Sequence, residues 1–150
     1  MARDLKGAIR LAKFKVDECR RAVSDLQGLE AEMLSRIEAF EAEFAREKAA
    51  AAALDGIAFT MEGYLDSVRT KRHGMEQQKL ALQATLQVAQ DQLSEAYKTL
   101  KTFEISQENR EKREREEAAR RDQAMLDEQG LTLFRRRGDG LLGLDEEPGG

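Results

Sequence analysis

This 150-residue chain lacks several features of ordinary globular proteins. Aromatic residues make up only 5% of it, Trp is absent, and Pro148 is the single proline. So few large apolar side chains cannot fill a thick core shared by several layers, although they suffice for one narrow seam. Cys19 is the single cysteine, so no disulfide can form within the chain, and a reducing compartment is expected.

Long apolar runs and a strong charge of one sign are also missing. The sequence contains no run of about 18 apolar residues, so no membrane span is predicted. The N-terminus includes Arg3, Asp4 and Lys6 and has no signal-peptide core. The net charge of −4 comes from 25 basic and 29 acidic residues that are interspersed. This pattern argues against nucleic-acid binding, which needs a concentrated basic surface. The Arg135–Arg137 triplet alone predicts only weak attachment to nucleic acid or anionic lipid.

What the chain does have is a composition typical of long helices. Charged residues make up 36%, and Ala, Glu, Lys, Leu and Arg are abundant. The strongest internal break is Asp55-Gly56, and six of the eleven glycines lie at or after Gly130. We therefore predict a helix over residues 3–54, a turn over 55–59, a second helix over 60–129 capped by Thr60, and a flexible tail over 130–150.

Apolar residues recur with alternating steps of four and three in both predicted helices. The first stripe comprises Leu5, Ile9, Ala12, Val16, Cys19, Val23, Leu26, Glu30, Met33, Ile37, Phe40, Phe44 and Glu47. The second comprises Met61, Leu65, Val68, Arg72, Met75, Lys79, Leu82, Leu86, Ala89, Leu93, Ala96, Leu100 and Phe103. Two heptad stripes joined by a short turn predict an all-α fold, a long two-helix antiparallel coiled-coil hairpin.

The position of the turn also predicts the register. If the turn centres near Gly56, the numbers of paired residues should sum to about 115. The expected pairs are Val23 with Leu93, Val16 with Leu100, Phe40 with Met75, and Arg72 with Glu43. The second helix is the longer one, so its residues after about Lys112 form an overhang without a partner helix in the chain.

The overhang is the most highly charged part of the sequence, reading ENREKREREEAARR over residues 108–121. It offers four Glu-to-base pairs at i,i+4, each worth about 0.2–0.5 kcal/mol to a solvated helix. They are Glu108–Lys112, Glu111–Arg115, Glu116–Arg120 and Glu117–Arg121. Two interpretations remain open: a solvated spacer helix, or a preorganised rod that inserts into a charged partner.

No residue pattern predicts catalysis. His73 is the only histidine and is expected on the surface, while Cys19 is expected to pack in the seam. A two-helix hairpin also offers no enclosed cavity for a substrate. We therefore expect no enzyme activity, no catalytic or metal site, and no cofactor. Near the turn, Phe59 and Tyr64 lie off the stripe and are candidates for an exposed partner-binding patch.

Two stretches resemble FliJ-type proteins of the bacterial flagellar export apparatus. They are RDLKGAIRLAKFKVDECRRAV at the start and ENREKREREEAARRDQAMLDEQG near the end, and the likeness covers about residues 2–130. The size, the two-helix plan and the charged end also match. The chain departs from the commoner family pattern at Asp122-Gln123, and its Gly-rich tail is not a general family feature.

The resemblance implies a non-enzymatic, cytoplasmic component of the flagellar type III export apparatus, peripheral to its membrane-embedded part. FliJ-type proteins resemble the central stalk of rotary ATPases. Their terminal ends enter the hexameric export ATPase ring, their other end reaches toward the export gate membrane protein, and they bind export chaperones. The candidate ring contacts are Arg3, Arg10, Arg110, Arg113, Arg120 and Arg121. Phe59 and Tyr64 at the tip would face the gate.

We also expect a monomer when free, without direct membrane insertion. The alternative is a structural or chaperone-like coiled-coil spacer that has no connection with secretion.

Overall fold

Two long α-helices make up nearly all of the structure. The computed structural model describes residues 5–54 and 58–142, with backbone alone for 58–60 and 141–142. Helix α1 runs Lys6–Ala52 and helix α2 runs Ala58–Leu142, and no strand occurs within those residues. The two helices pack against each other in antiparallel directions, which confirms the predicted all-α hairpin.

The chain divides into two compact units. Residues Leu5–Phe103 form the first, called here the hairpin unit, which contains α1 and the part of α2 that packs against it. The second, called the terminal unit, comprises Met1–Asp4 and Glu104–Gly150, and its described part is residues 104–142 of α2.

The core of the hairpin unit is the seam between the two apolar stripes. Apart from Glu47 and Arg72, which are exposed, every predicted stripe position is buried or half-buried. The most deeply buried side chains are those of Val16, at 3% exposure, and Met33, at 4%. A heptad repeat keeps one face of each helix against its partner, so the burial follows directly from the spacing.

Small side chains occupy many of the central seam positions. The buried residues of this kind are Ala12, Cys19, Ala89 and Ala96. Cys19 and Ala96 pack with Val16 between Leu93 and Leu100, so the cysteine serves as a small apolar core residue. Alternation of small and large side chains lets the two helices interdigitate.

The predicted register holds in the centre of the hairpin. Val16 packs in one cluster with Leu100, and Val23 packs in the next cluster with Leu93. Both pairs have residue numbers that sum to within one of the predicted value. Arg20 also contacts Tyr97, with its guanidinium 5.4 Å from the ring centroid and a hydrogen bond to the hydroxyl.

The second helix differs from the prediction at both ends. It begins at Ala58, so Thr60 is a helical residue and the predicted cap at that position is wrong. It also continues to Leu142 and not to about residue 129. Most of the predicted turn, residues 55–57, and the tail from residue 143 lie outside the described residues.

The late end of α2 has a simple physical reason. A glycine inside a helix costs only about 1 kcal/mol relative to Ala, and residues 131–137, which follow Gly130, contain no further Gly or Pro. The Thr132 hydroxyl donates to the Glu128 carbonyl at 2.9 Å, one turn back across Gly130. An isolated glycine therefore weakens the helix there without ending it.

Adjacent residues on α1 provide a test of the seam. Met33 is 4% exposed, whereas its neighbour Leu34 is 44% exposed. We expect Met33→Ala to lower the free energy of unfolding by about 2–3 kcal/mol, because it empties a packed position. Leu34→Ala should change it by less than about 0.5 kcal/mol. Urea unfolding followed by far-UV circular dichroism measures both, and equal effects of the two substitutions would contradict the seam.

Candidate partner-binding surfaces

From residue 111 to residue 137 the terminal unit presents a long, solvent-exposed helix rich in charged residues. Every side chain from residue 111 to residue 137 is exposed. No large apolar side chain occurs between Ile105 and Met125. The helix between these two positions therefore buries no apolar face within the described part of the chain. From residue 111 onward its charged side chains are exposed and can contact another molecule.

The ion pairs in this segment differ from those predicted. Arg110 Nε lies 3.3 Å from Glu114 Oε1, and the Gln107 amide donates to Glu111 at 3.1 Å. None of the four predicted Glu-to-base pairs closes to 4 Å within the described residues, and Arg121 instead donates to the Glu117 carbonyl at 3.4 Å. A solvated ion pair contributes little to stability, so the i,i+4 spacing in the sequence does not determine which pairs form.

Four of the candidate ring contacts share one face of the terminal unit's helix. At about 100° per residue, Arg110, Arg113, Arg120 and Arg121 fall within an arc of about 100°. Glu114 and Glu117 lie on the same face and line a shallow depression with Arg110 and Arg113. The face is therefore a ladder of guanidinium groups interrupted by two carboxylates, and we call it the arginine face.

The other two candidate ring contacts, Arg3 and Arg10, precede α2 in the chain. Arg10 is an exposed residue of α1 in the hairpin unit. Leu11 and Phe14 beside it are 70% and 63% exposed. Arg3 lies outside the described residues. Four of the six arginines predicted as ring contacts therefore lie on one face of α2.

Near the turn, Tyr64 is not the exposed aromatic residue that was expected. Its side chain is half-buried, its ring lies 6.2 Å from that of Phe44, and its hydroxyl donates to Glu47. Position 64 precedes the stripe residue Leu65, which turns the ring toward α1. The side chain of Phe59, the other residue of the predicted patch, lies outside the described residues.

Arg72 joins the two helices next to this aromatic pair. Its Nε and Nη2 atoms donate to the two carboxylate oxygens of Glu41 at 2.6 and 2.8 Å. Its guanidinium carbon also lies 5.2 Å from the ring centroid of Phe44. The prediction that Arg72 pairs with Glu43 is wrong, because Glu41 lies on the side of α1 that allows the two-pronged contact.

The Arg72–Glu41 contact shifts both titrations. Its hydrogen bond lowers the pKa of the Glu41 carboxyl below the ordinary value and raises the pKa of the Arg72 guanidinium. The neighbouring Lys71 ammonium lies 5.3 Å from the ring centroid of Phe40. Two cations of α2 therefore lie over two aromatic rings of α1. Neither cation–aromatic contact was predicted, although the residue numbers of Arg72 and Phe44 sum to within one of the predicted register value.

The residues considered for chemistry do not form a cluster. Cys19 is buried in the seam, and His73 is exposed. Within residues 5–54 and 58–142, no group of three or more His, Cys, Asp or Glu side chains is placed to hold a metal ion. Over the same residues, neither helix has a stretch long and apolar enough to span a membrane.

The hairpin unit and the exposed charged helix define a class of protein: a helical-hairpin protein whose available surfaces are suited to contact with other proteins. The model of the FliJ family, described as "Flagellar FliJ protein", matches residues 1–139, and the chain belongs to this family. No curated protein and no solved structure matches it.

Family membership gives the broad function. The chain is a component of the flagellar export apparatus, and the family is non-catalytic. The match spans both described helices almost completely and ends at residue 139, so it includes the arginine face and the residues near the turn. Residues 140–150 lie beyond it.

The pKa shift of Glu41 predicts a pH dependence of stability. A carboxyl with a lowered pKa in the folded state stabilises that state above its unfolded pKa, and the contribution disappears as the pH falls through the folded pKa. We expect Glu41→Gln to lower Tm by a few degrees at neutral pH, with a smaller difference from the wild type in acid. Glu43→Gln is the matched control and should leave the profile unchanged. Equal profiles for wild type and Glu41→Gln would refute the assignment.

Proposed function

We propose that this protein is a stalk between the hexameric flagellar export ATPase ring and the export gate membrane protein. The observation that supports this role most directly is the arginine face of the terminal unit. It presents the exposed Arg113, Arg120 and Arg121 together with the half-buried Arg110 on one uninterrupted helix. Family membership supplies the apparatus in which such a helix would act.

The arginine face suits insertion into a ring for two physical reasons. The segment is helical and has no apolar face to bury, so little ordering is needed on binding and the entropic cost is low. Guanidinium groups along one face would also be attracted to an acidic lining, which raises the association rate and sets orientation. Arg3 and Arg10 belong to the same proposal as further ring contacts near the start of the chain.

The other end of the hairpin unit is proposed to face the export gate. Phe59 and Tyr64 are the candidate contacts there, and the half-buried Tyr64 would act by holding the end of the hairpin in place. Binding of export chaperones is part of the same proposal. The protein would act in the cytoplasm beside the membrane-embedded apparatus, as a monomer when free and without binding nucleic acid.

A spacer unrelated to secretion is the alternative considered from sequence. Membership of the FliJ family argues against it, because the family belongs to the flagellar export apparatus. A purely structural spacer within that apparatus would differ from a stalk in one measurable respect. It would not need a charged face that binds the ATPase.

Binding to the purified export ATPase of the same organism tests the stalk role. We expect Arg120→Glu with Arg121→Glu to weaken binding at least about tenfold, because two favourable charges on the arginine face become repulsive. The matched control is Lys112→Glu with Arg115→Glu, which makes the same change of charge on the opposite side of the same helix. That control should alter the Kd by less than about threefold. Isothermal titration calorimetry gives both values.

The outcomes separate three cases. Selective loss in the Arg120 and Arg121 variant supports the arginine face as the ring contact. Equal losses in both variants would indicate unspecific attraction and remove these residues from the proposal. Absence of binding by the wild type would reject the stalk role itself.

The gate contact is tested with the cytoplasmic part of the gate protein. We expect Phe59→Ala to weaken binding to that fragment at least about tenfold while leaving ATPase binding unchanged, since the aromatic side chain would be an anchor at the far end. Surface plasmon resonance with each partner measures the two effects. Unchanged binding to the gate fragment would exclude Phe59 from the contact.

A further inference from the structure

We propose that residues 125–137 of α2 form a docking surface for a helix of a partner protein that presents an apolar side chain flanked by carboxylates. Large apolar side chains reappear here after a segment, residues 106–124, that has none. Met125 and Leu126 are each 61% exposed, Leu133 is 63% exposed and Phe134 is 75% exposed. Such exposure on a helix without a partner is typical of an interaction site.

Gly130 gives the surface its shape. A shallow hollow at this position is lined by Gly130, Leu133, Phe134, Arg136 and Arg137. Leu126, Gly130, Leu133, Phe134 and Arg137 fall within an arc of about 100° on the helix. Because glycine has no side chain, the backbone forms the floor of the hollow, and apolar groups form its walls. A side chain from a second helix can enter such a gap in the way a knob enters a hole.

The charges around the hollow favour an acidic partner. Arg136 and Arg137 line it directly, and both are exposed. Glu128 and Asp139 lie on the opposite side of the helix from Gly130. Asp127, nearer to the hollow, accepts a hydrogen bond from the Gln123 amide at 3.1 Å. The partner surface that complements this arrangement has carboxylates beside its apolar knob.

A second copy of this chain packed in parallel fits the surface less well. Two such helices packed in parallel would bring the arginines of one against the arginines of the other. Like charges in contact are repulsive. The proposal also stands apart from the proposed stalk role, since it depends on the hollow at Gly130 and not on the arginine face.

The conformational preference of glycine makes a sharp test available. A Cβ added at Gly130 meets nothing within 4 Å, and the same is true at Gly74 in the hairpin unit. Gly130→Ala and Gly130→Gln should therefore preserve or increase helix content, because both residues are better helix formers. Both fill the hollow, so they should weaken docking of a partner even though the free protein is at least as helical.

The experiment uses the full chain and fluorescent synthetic helical peptides with a leucine stripe flanked by glutamates, or by lysines in a control peptide. Fluorescence anisotropy should show binding of the glutamate peptide only. Gly130→Gln, and separately Arg136→Glu with Arg137→Glu, should weaken it at least about tenfold. Gly130→Ala should give a smaller loss. The matched controls, Gly74→Gln and Lys112→Glu with Arg115→Glu, should bind within about threefold of wild type.

Several results would overturn the proposal. They are absence of binding by the glutamate peptide, equal binding of the lysine peptide, or binding that Gly130→Gln leaves unchanged. Two parallel assays test other occupants. Co-sedimentation with phosphatidylserine-containing vesicles, or self-association in analytical ultracentrifugation that Gly130→Gln abolishes, would assign the surface to lipid or to a second copy and reject the acidic helix.

Discussion

The hairpin unit depends on burial of two heptad stripes against each other along one narrow seam. Its core is built mainly from Ala, Val, Leu and one Cys, with Val16 and Met33 the most deeply buried. Because each helix contacts a single neighbour, most of its circumference stays in water, and the apolar area removed from water per residue is small. A continuous stripe is therefore required, since no other layer can offset a gap in it.

Where a cation interrupts the second apolar stripe, contacts at the edge of the seam keep its charge in water or paired. Lys79 occupies a seam position with its side chain only 28% exposed, and its ammonium lies 3.5 Å from Glu76. Its aliphatic stem can cover the seam while the charge stays in water. Arg72, the other interruption of the second stripe, uses the Glu41 carboxylate and the Phe44 ring. Both cations stay in the stripe without a buried, unpaired charge.

Periodicity and the position of the turn together predicted the fold and the centre of the register well. The seven-residue repeat determines which faces pair, and the turn determines which repeats lie opposite each other, as for Val16 with Leu100. The same reasoning failed where solvent competes. The partner of Arg72 was misplaced by two residues because long exposed side chains can reach several acceptors, and the i,i+4 pairs of the charged segment did not close for the same reason. The end of α2 was missed because glycine is a weak stop signal.

The candidate sites were less predictable than the fold. Helical periodicity could have shown that Arg110, Arg113, Arg120 and Arg121 share a face, and the same calculation reveals the apolar surface around Gly130. Sequence alone suggested an exposed Tyr64, whereas packing on Phe44 half-buries it. The proposed contacts thus lie on exposed faces that carry no distinctive motif, and the FliJ family match shows only the apparatus to which the chain belongs.

Spin-label distances test the antiparallel seam most directly. Labels at Leu34 and Leu80, exposed positions whose numbers sum close to the register value, should be near each other across helices about 10 Å apart. Labels at Leu11 and Leu80 should be separated by about 35 Å along the hairpin. In a background with Cys19 replaced by Ser, double electron–electron resonance should show one short and one long intramolecular distance. A short distance between copies labelled at Leu34 alone, with none between Leu34 and Leu80, would contradict the hairpin.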